Sequence, residues 1–249
     1  KNVLRLDGKN LSAQVLLGKA LYEDGQVNAA EVAFTEAIRL GVNRAEVVVP
    51  MARAAMLQGR PDSILTDSRF ALEGLPQDTQ YEMLLLRASA ATDLGEFRQA
   101  LTSIDQARAI RPNDAASFRT EVPARIRSQQ LKEALAAADR AVALAPNDAE
   151  SHFMRGEALH VGTDLAKAQA AYDRTLSIDA AHIGALVARA GIHMDFGRLQ
   201  AAALDVARAR AGRWFDPALV RCLEQHTTEA FWASLRQDDV SAAVAAEQP

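Results

Sequence analysis

Six times along the chain a compact apolar residue recurs in one register, Ala30, Ile64, Ala100, Ala134, Ala168 and Ala202, at a step of about 34 residues that is slightly longer once, between Ile64 and Ala100. Seven positions further on, Ala37, Ala71, Ala107, Ala141, Thr175 and Ala209 keep the same steps. A third column runs through Gly18, Ala52, Ala88, Val122, Gly156 and Ala190. A period of this length is one supersecondary unit, too small to bury its own apolar face, so neighbouring units must stack to make a core. A single-core globule of this length has no use for such a period.

Each unit reads as a helical hairpin. The chain holds 51 alanines, the residue that loses least on entering a helix, and only 5% aromatics; the patch EVVVP at 46–50 is its one strand-like stretch. Numbering each unit from 1 to 34, positions 4, 7, 8 and 11 fall on one stripe of a first helix, in the first unit Gln14, Leu17, Gly18 and Leu21. Position 8 is small because the second helix crosses closely there. Position 15 is the turn, with Gly25, Gly59, Gly95 and Gly197 suited to a left-handed cap, and Gln129 and Thr163 departing. The exits RPND at 111–114 and APND at 145–148 end one helix with Pro and cap the next with Asn or Asp.

With these columns the sequence resembles the tetratricopeptide repeat family. The stretch VLLGKALYEDGQVNAAEVAFTEAIRLG at 15–41 carries its small, turn-Gly, Ala, Phe and Ala positions, with Phe34 in the aromatic slot and Tyr172 there in a later unit. The resemblance implies an all-α, right-handed α-solenoid of helix-turn-helix repeats. It covers six units, 11–44, 45–78, 81–114, 115–148, 149–182 and 183–216, with residues 79 and 80 inserted. The family's Trp at position 4 is absent throughout, and Val42, Ala180 and Trp214 replace Pro at position 32. Residues 1–10 read as the end of a preceding second helix, so the array is expected to begin before Lys1. Residues 217–249 read as a capping helix opened by Asp216 and Pro217, with Leu219, Leu223, His226 and Ala230 on one stripe, followed by a tail.

The resemblance further implies a concave groove lined by first helices, at positions 2, 5, 9, 12 and 13. These include Val15, Lys19, Tyr22, Val49, Arg53, Met56, Leu85, Ser89, Thr92, Arg119, Pro123, Ile126, Phe153, Glu157, His160, Val187, Gly191 and Met194. Apolar anchors with interleaved cations suit an extended or helical segment of a partner protein. The expected partner-binding set is Lys19, Tyr22, Arg53, Met56, Leu85, Ser89, Arg119, Ile126, Phe153, His160 and Met194, led by Tyr22, Arg53 and Arg119 as hot-spot types. One subclass of the family grips a C-terminal carboxylate through paired Lys and Asn; Leu16 beside Lys19 leaves that pair incomplete. Pro123 stands inside a first helix and is expected to kink it beside Arg119. Arg87, Arg155 and Arg189, at position 7, are expected to lay their stems over apolar neighbours and reach carboxylates outside.

Chemistry is harder to find. The five histidines form no His-Glu-x-x-His pair, His152 and His160 are two turns apart, and there is no nucleophile elbow or phosphate-cradling loop. Cys222 is the single cysteine, which excludes an internal disulfide framework. No catalytic residue, metal ligand or cofactor is expected. The 28 Lys and Arg against 32 Asp and Glu give net charge −4, without the basic excess of a nucleic-acid binder, and no apolar run approaches the length of a membrane span.

The leading reading is a non-enzymatic interaction scaffold. The stretch LGKALYEDGQVNAAEVAFTEAIRLGV at 17–42, followed by VVVPMARAAMLQGR at 47–60, also resembles the repeat lipoproteins that accompany bacterial exopolysaccharide synthesis and export. That resemblance implies a periplasmic or lipid-anchored protein, with a cytoplasmic location as the alternative. The alternatives are a docking or regulatory module of a larger enzyme, and self-association through exposed ends.

Overall fold

The computed structural model describes residues 10–212, 216–218, 220 and 221. Among them lie twelve α-helices and two short 3-10 turns. The chain divides into two compact units, Lys1–Pro146 and Asn147–Pro249. In the first, α1 (Leu11–Glu23) pairs with α2 (Val27–Arg39), α5 (Gln77–Asp93) with α6 (Phe97–Ile110), and α7 (Ala115–Arg127) with α8 (Leu131–Leu144). Between the first two hairpins come α3 (Val48–Leu57) and α4 (Pro61–Thr66). In the second, α9 (Ala149–Val161) pairs with α10 (Leu165–Ile178) and α11 (Ile183–Asp195) with α12 (Leu199–Ala209).

The three small-residue columns are the packing seam. Ala30, Ile64, Ala100, Ala134 and Ala168 are fully buried and Ala202 nearly so; Ala52, Ala88, Val122 and Ala190 of the third column are buried as well. What needs the space at position 8 is a side chain: a Cβ on Gly18 would lie 2.5 Å from two ring carbons of Phe34, and one on Gly156 would collide with the Tyr172 ring. All six turn residues have positive φ, from 62° at Gln129 and 65° at Thr163 to 79° at Gly95. The left-handed cap is therefore kept even where glycine is not, because the second helix must leave in the same direction. Caps recur at the other end as well: Asp114, Asp148 and His182 accept from Ala116, Ser151 and Ala185 backbone N–H groups at 2.9, 2.9 and 3.1 Å.

The stretch 45–78 departs from the regular hairpin. Its second helix stops at Thr66; Asp67 turns extended, accepts from the Arg69 N–H at 2.8 Å and starts the 3-10 turn Ser68–Phe70. Ala71, expected in a second-helix column, is extended instead. The β-branched patch at 46–50 is helical from Val48 onward. Residues 79 and 80 lie inside α5, which starts early behind Pro76 and runs for 17 residues. The helix α7 passes through Pro123 without a break.

Position 7 holds the polar exceptions inside the seam. Arg87 donates to the Ile64 carbonyl at 3.1 Å rather than to a carboxylate. Arg189 does reach acids, but the main one is inside. Its Nε and Nη2 donate to Asp205 at 2.8 and 2.6 Å, with Asp205 only 2% exposed, and Nη1 donates to the exposed Asp173 at 2.7 Å. In α7 the sign is reversed: buried Glu121 accepts from Arg108 at 2.6 Å and Arg125 at 2.7 Å.

Beside Asp205 lies His193, 8% exposed, with Nε2 at 3.7 Å from the carboxylate and a buried Nδ1 that has no hydrogen-bond partner. Burial holds its pKa below the ordinary imidazole value, against Asp205 and, more remotely, Asp173; Arg198 and Arg189 act with burial. The folded chain thus binds this proton less readily than the unfolded chain. The stability involved is complete above the free imidazole pKa of about 6.5 and is lost as pH falls through it. In urea unfolding followed from pH 7.5 to 5.5, His193→Leu is expected to lose less stability on acidification than the parent chain.

The reading of residues 1–9, and of most of 217–249 including Leu219, Cys222, Leu223, His226 and Ala230, lies outside the described residues. Where description resumes, Asp216 accepts from the Ala218 N–H at 2.7 Å and the Val220 N–H donates to its carbonyl at 3.1 Å, opening a helical turn.

Candidate functional site

In the first unit α1, α3, α5 and α7 lie side by side, each touching the next, so residues one helical turn apart on one face form a continuous row. Across α1, α3 and the start of α5 this row contains a cleft of about 380 Å³ lined by Lys19, Tyr22, Glu23, Ala45, Glu46, Val49, Pro50, Arg53, Thr79 and Glu82. Three of the expected binding residues, from two different repeats, meet here: Lys19 and Tyr22 on α1 and Arg53 on α3.

The electrostatics are mixed. The Arg53 guanidinium donates to Glu82 at 3.1 Å across to α5, an exposed pair worth about 1 kcal/mol or less. Tyr22 is half-buried, its ring packed on the apolar core of the unit, as is Met56. Each therefore has one structural face and one open face. Lys19 is exposed, and Glu23 and Glu46 stand near it without a salt-bridge partner among the described residues.

The other expected positions are distributed along the row. Leu85 and Ile126 are half-buried on α5 and α7, and Leu85 packs against Tyr81 and Leu84. Ser89 spends its hydroxyl on the Leu85 carbonyl at 3.1 Å. Arg119 is half-buried on α7, away from the cleft. Two positions read as groove are core: Val15 is 7% exposed, and Thr92 is 4% exposed with its hydroxyl bonded to the Ala88 carbonyl.

In the second unit Phe153 and His160 are half-buried and Met194 is exposed. Phe153 packs 4.7 Å from the His182 ring and 5.9 Å from Tyr172. The buried Tyr172 hydroxyl donates to Glu157 at 2.6 Å and lies 3.3 Å from His160 Nδ1. Burial, and then the Glu157 carboxylate, hold this phenol protonated far above its ordinary range. A second cleft, of about 660 Å³, lies by Leu186, the position where the resembled family carries Trp, with Arg189, Arg208, Pro217 and Val220 among its walls.

The acids of the cleft also fall on expected groove positions, Glu46 and Glu82 at position 2 and Glu23 at position 13, although none of them stands in the expected binding set. The Tyr172 hydroxyl belongs to a second helix and has no such signal. Among the described residues no group of three or more His, Cys, Asp or Glu is placed to hold a metal ion, and no helix is long and apolar enough to cross a membrane.

No family model and no curated protein matches the chain. Solved structures do. A tetratricopeptide repeat protein from Parabacteroides merdae superposes with TM-score 0.72 at 16% identity, covering 88% of this chain and 86% of that one. PilF of Pseudomonas aeruginosa gives 0.58 at 15% identity over 86% and 96%, and the tetratricopeptide protein TTC0263 of Thermus thermophilus gives 0.52 at 19% over 86% and 96%. At such identities the likeness speaks to the fold: an all-α solenoid of tetratricopeptide-type hairpins.

Proposed function

We propose that this all-α tetratricopeptide-type chain is a non-enzymatic scaffold that holds a segment of a partner protein along its first-helix row, anchored at the cleft between α1, α3 and α5. The observation that carries this reading is the convergence of Lys19, Tyr22 and Arg53 on one cleft beside Glu82. An aromatic ring with one open face, two cations and three carboxylates offer a peptide an apolar contact and charged partners of both signs. Tyr and Arg are also the types that most often dominate interface energies. The row continues over Met56, Leu85, Ser89, Arg119 and Ile126 as complementary surface. The finer reading, service in exopolysaccharide export from a periplasmic or lipid-anchored position, rests on the sequence resemblance in the first two repeats alone.

The test is capture from the native cell with the chain and with its Tyr22→Ala/Arg53→Ala variant, followed by titration of the recovered partner against both. A micromolar interface corresponds to about −8 kcal/mol, and loss of two hot spots is expected to weaken it at least about tenfold. Equal affinity for both chains overturns the assignment of this cleft.

A further inference from the structure

Where the repeat 81–114 meets the repeat 115–148, the Phe118 ring of α7 stands between two arginines. The guanidinium of Arg108, on α6, lies 3.9 Å from its centroid and that of Arg140, on α8, lies 6.0 Å away. Arg140 also donates to the Asn113 side chain at 3.3 Å, and one repeat later Arg174, at the same position 26, donates to Asn147 at 3.3 Å. Each asparagine follows a proline in the exit before it, Pro112 or Pro146. A ring on a guanidinium and an oxygen accepting from a position-26 arginine are thus both built into this chain.

Where 149–182 meets 183–216, the matching residues are smaller. Leu186 stands for Phe118 and Leu176 for Arg108, and the exit holds Ala180 and Ala181 in place of Pro and Asn; Arg208 keeps the place of Arg140. These five residues line one cleft, that of about 660 Å³ between α10, α11 and α12. Its volume lies within the roughly 300–1,000 Å³ of small-molecule sites. None of the five is on a groove position, so the cleft is separate from the first-helix row.

The charges favour an anion. Arg189, Arg208 and Arg221 line the cleft with a single acid, Asp173, and buried Asp205 stands behind Arg189. Arg189 is bonded to both acids. Arg208 lies 3.6 Å from Asp205, and a guanidinium carries five N–H donors in a planar fork. Three arginines against two carboxylates leave one positive charge over apolar walls.

We infer that this cleft binds a small aromatic carboxylate, its ring laid on Leu176 and Leu186 beside the Arg208 guanidinium, its carboxylate accepting from Arg208 as Asn113 accepts from Arg140. The ligand supplies the two groups that the sequence omits here, a ring and an oxygen acceptor. Bidentate pairing with a carboxylate suits the arginine fork better than an amide oxygen does.

Naphthoate titrated calorimetrically into the full chain is expected to bind with a Kd of about 100 μM or tighter. Naphthamide, its neutral isostere, should bind at least about tenfold more weakly, the difference a charge-assisted bond makes. Decalincarboxylate, which keeps the charge without the π-face, should lose at least about threefold. Arg208→Met should weaken naphthoate at least about tenfold, and Ala181→Asn, which restores the acceptor of the earlier exits, at least about threefold. Residue 181 is exposed, so an unchanged urea midpoint in Ala181→Asn certifies the fold. Tyr22→Ala/Arg53→Ala should leave naphthoate binding as it is, which separates this test from that of the first-unit cleft. No binding up to about 1 mM, equal binding of acid and amide, or an affinity indifferent to either cleft variant overturns the inference.

Discussion

Arg189→Met is expected to destabilise the second unit by about 3–5 kcal/mol. The reason is what it leaves behind. Asp205 is 2% exposed and takes two short charge-assisted bonds from this guanidinium; its other basic neighbours, Arg208 and the His193 imidazole, stand at 3.6 and 3.7 Å. Removing Arg189 strands a carboxylate in apolar surroundings, where desolvation is no longer offset by a bidentate partner. Asp173, the other acid, is half in water and loses little. Set against typical domain stabilities of about 5–15 kcal/mol, the loss is large, with a fall of at least roughly 10 °C in Tm. The double variant Arg189→Met/Asp205→Leu removes both charges and is expected to recover most of it, because a buried pair contributes little over an apolar pair of similar volume. Thermal and urea unfolding of the four chains of the cycle measure the coupling directly. A double variant no better than Arg189→Met sinks the account, and would mean that the pair is needed for its shape.

The polar seam also marks where sequence periodicity stops being informative. The repeat period says which positions of each hairpin face inward, and the small columns and turn residues obey it even at Gln129 and Thr163. It does not say which inward polar residue meets which. Arg189 finds Asp205 on the second helix of its own hairpin, whereas Glu121 finds Arg108 in the hairpin before. The same limit applies to the cleft. Lys19, Tyr22 and Arg53 fall on groove positions, and so does Glu82, at position 2 of its repeat; what the period does not say is that Glu82 reaches Arg53 of the repeat before. Val15 and Thr92 fail for a related reason: a nominal groove position is core wherever neighbouring first helices press close. The short α4 was hidden because Ile64 keeps its column while Asp67, three places later, offers the backbone a competing turn.

Phe34→Ala is expected to cost about 3–5 kcal/mol, and adding Gly18→Val is expected to return about 1–2 kcal/mol of it. The prediction comes from comparing positions 8 and 24 of each hairpin. Gly18 faces Phe34 and Gly156 faces Tyr172, with both rings fully buried. The same positions hold Ala88 with Ile104 and Val122 with Ala138, all four fully buried. Where one partner grows, the other shrinks, so the seam conserves the volume of the pair rather than the size of either residue. Gly18→Val alone must therefore be destabilising, since its first added atom would lie 2.5 Å from the Phe34 ring, despite the gain in helix propensity over glycine. Combined with Phe34→Ala, the same valine fills the cavity the ring vacates and copies the Val122–Ala138 arrangement already present in α7 and α8. Urea midpoints of the two single variants, the double variant and the parent decide it. If the double loses the sum of the two single losses, the small column reflects a backbone approach that no exchange of side chains can relieve.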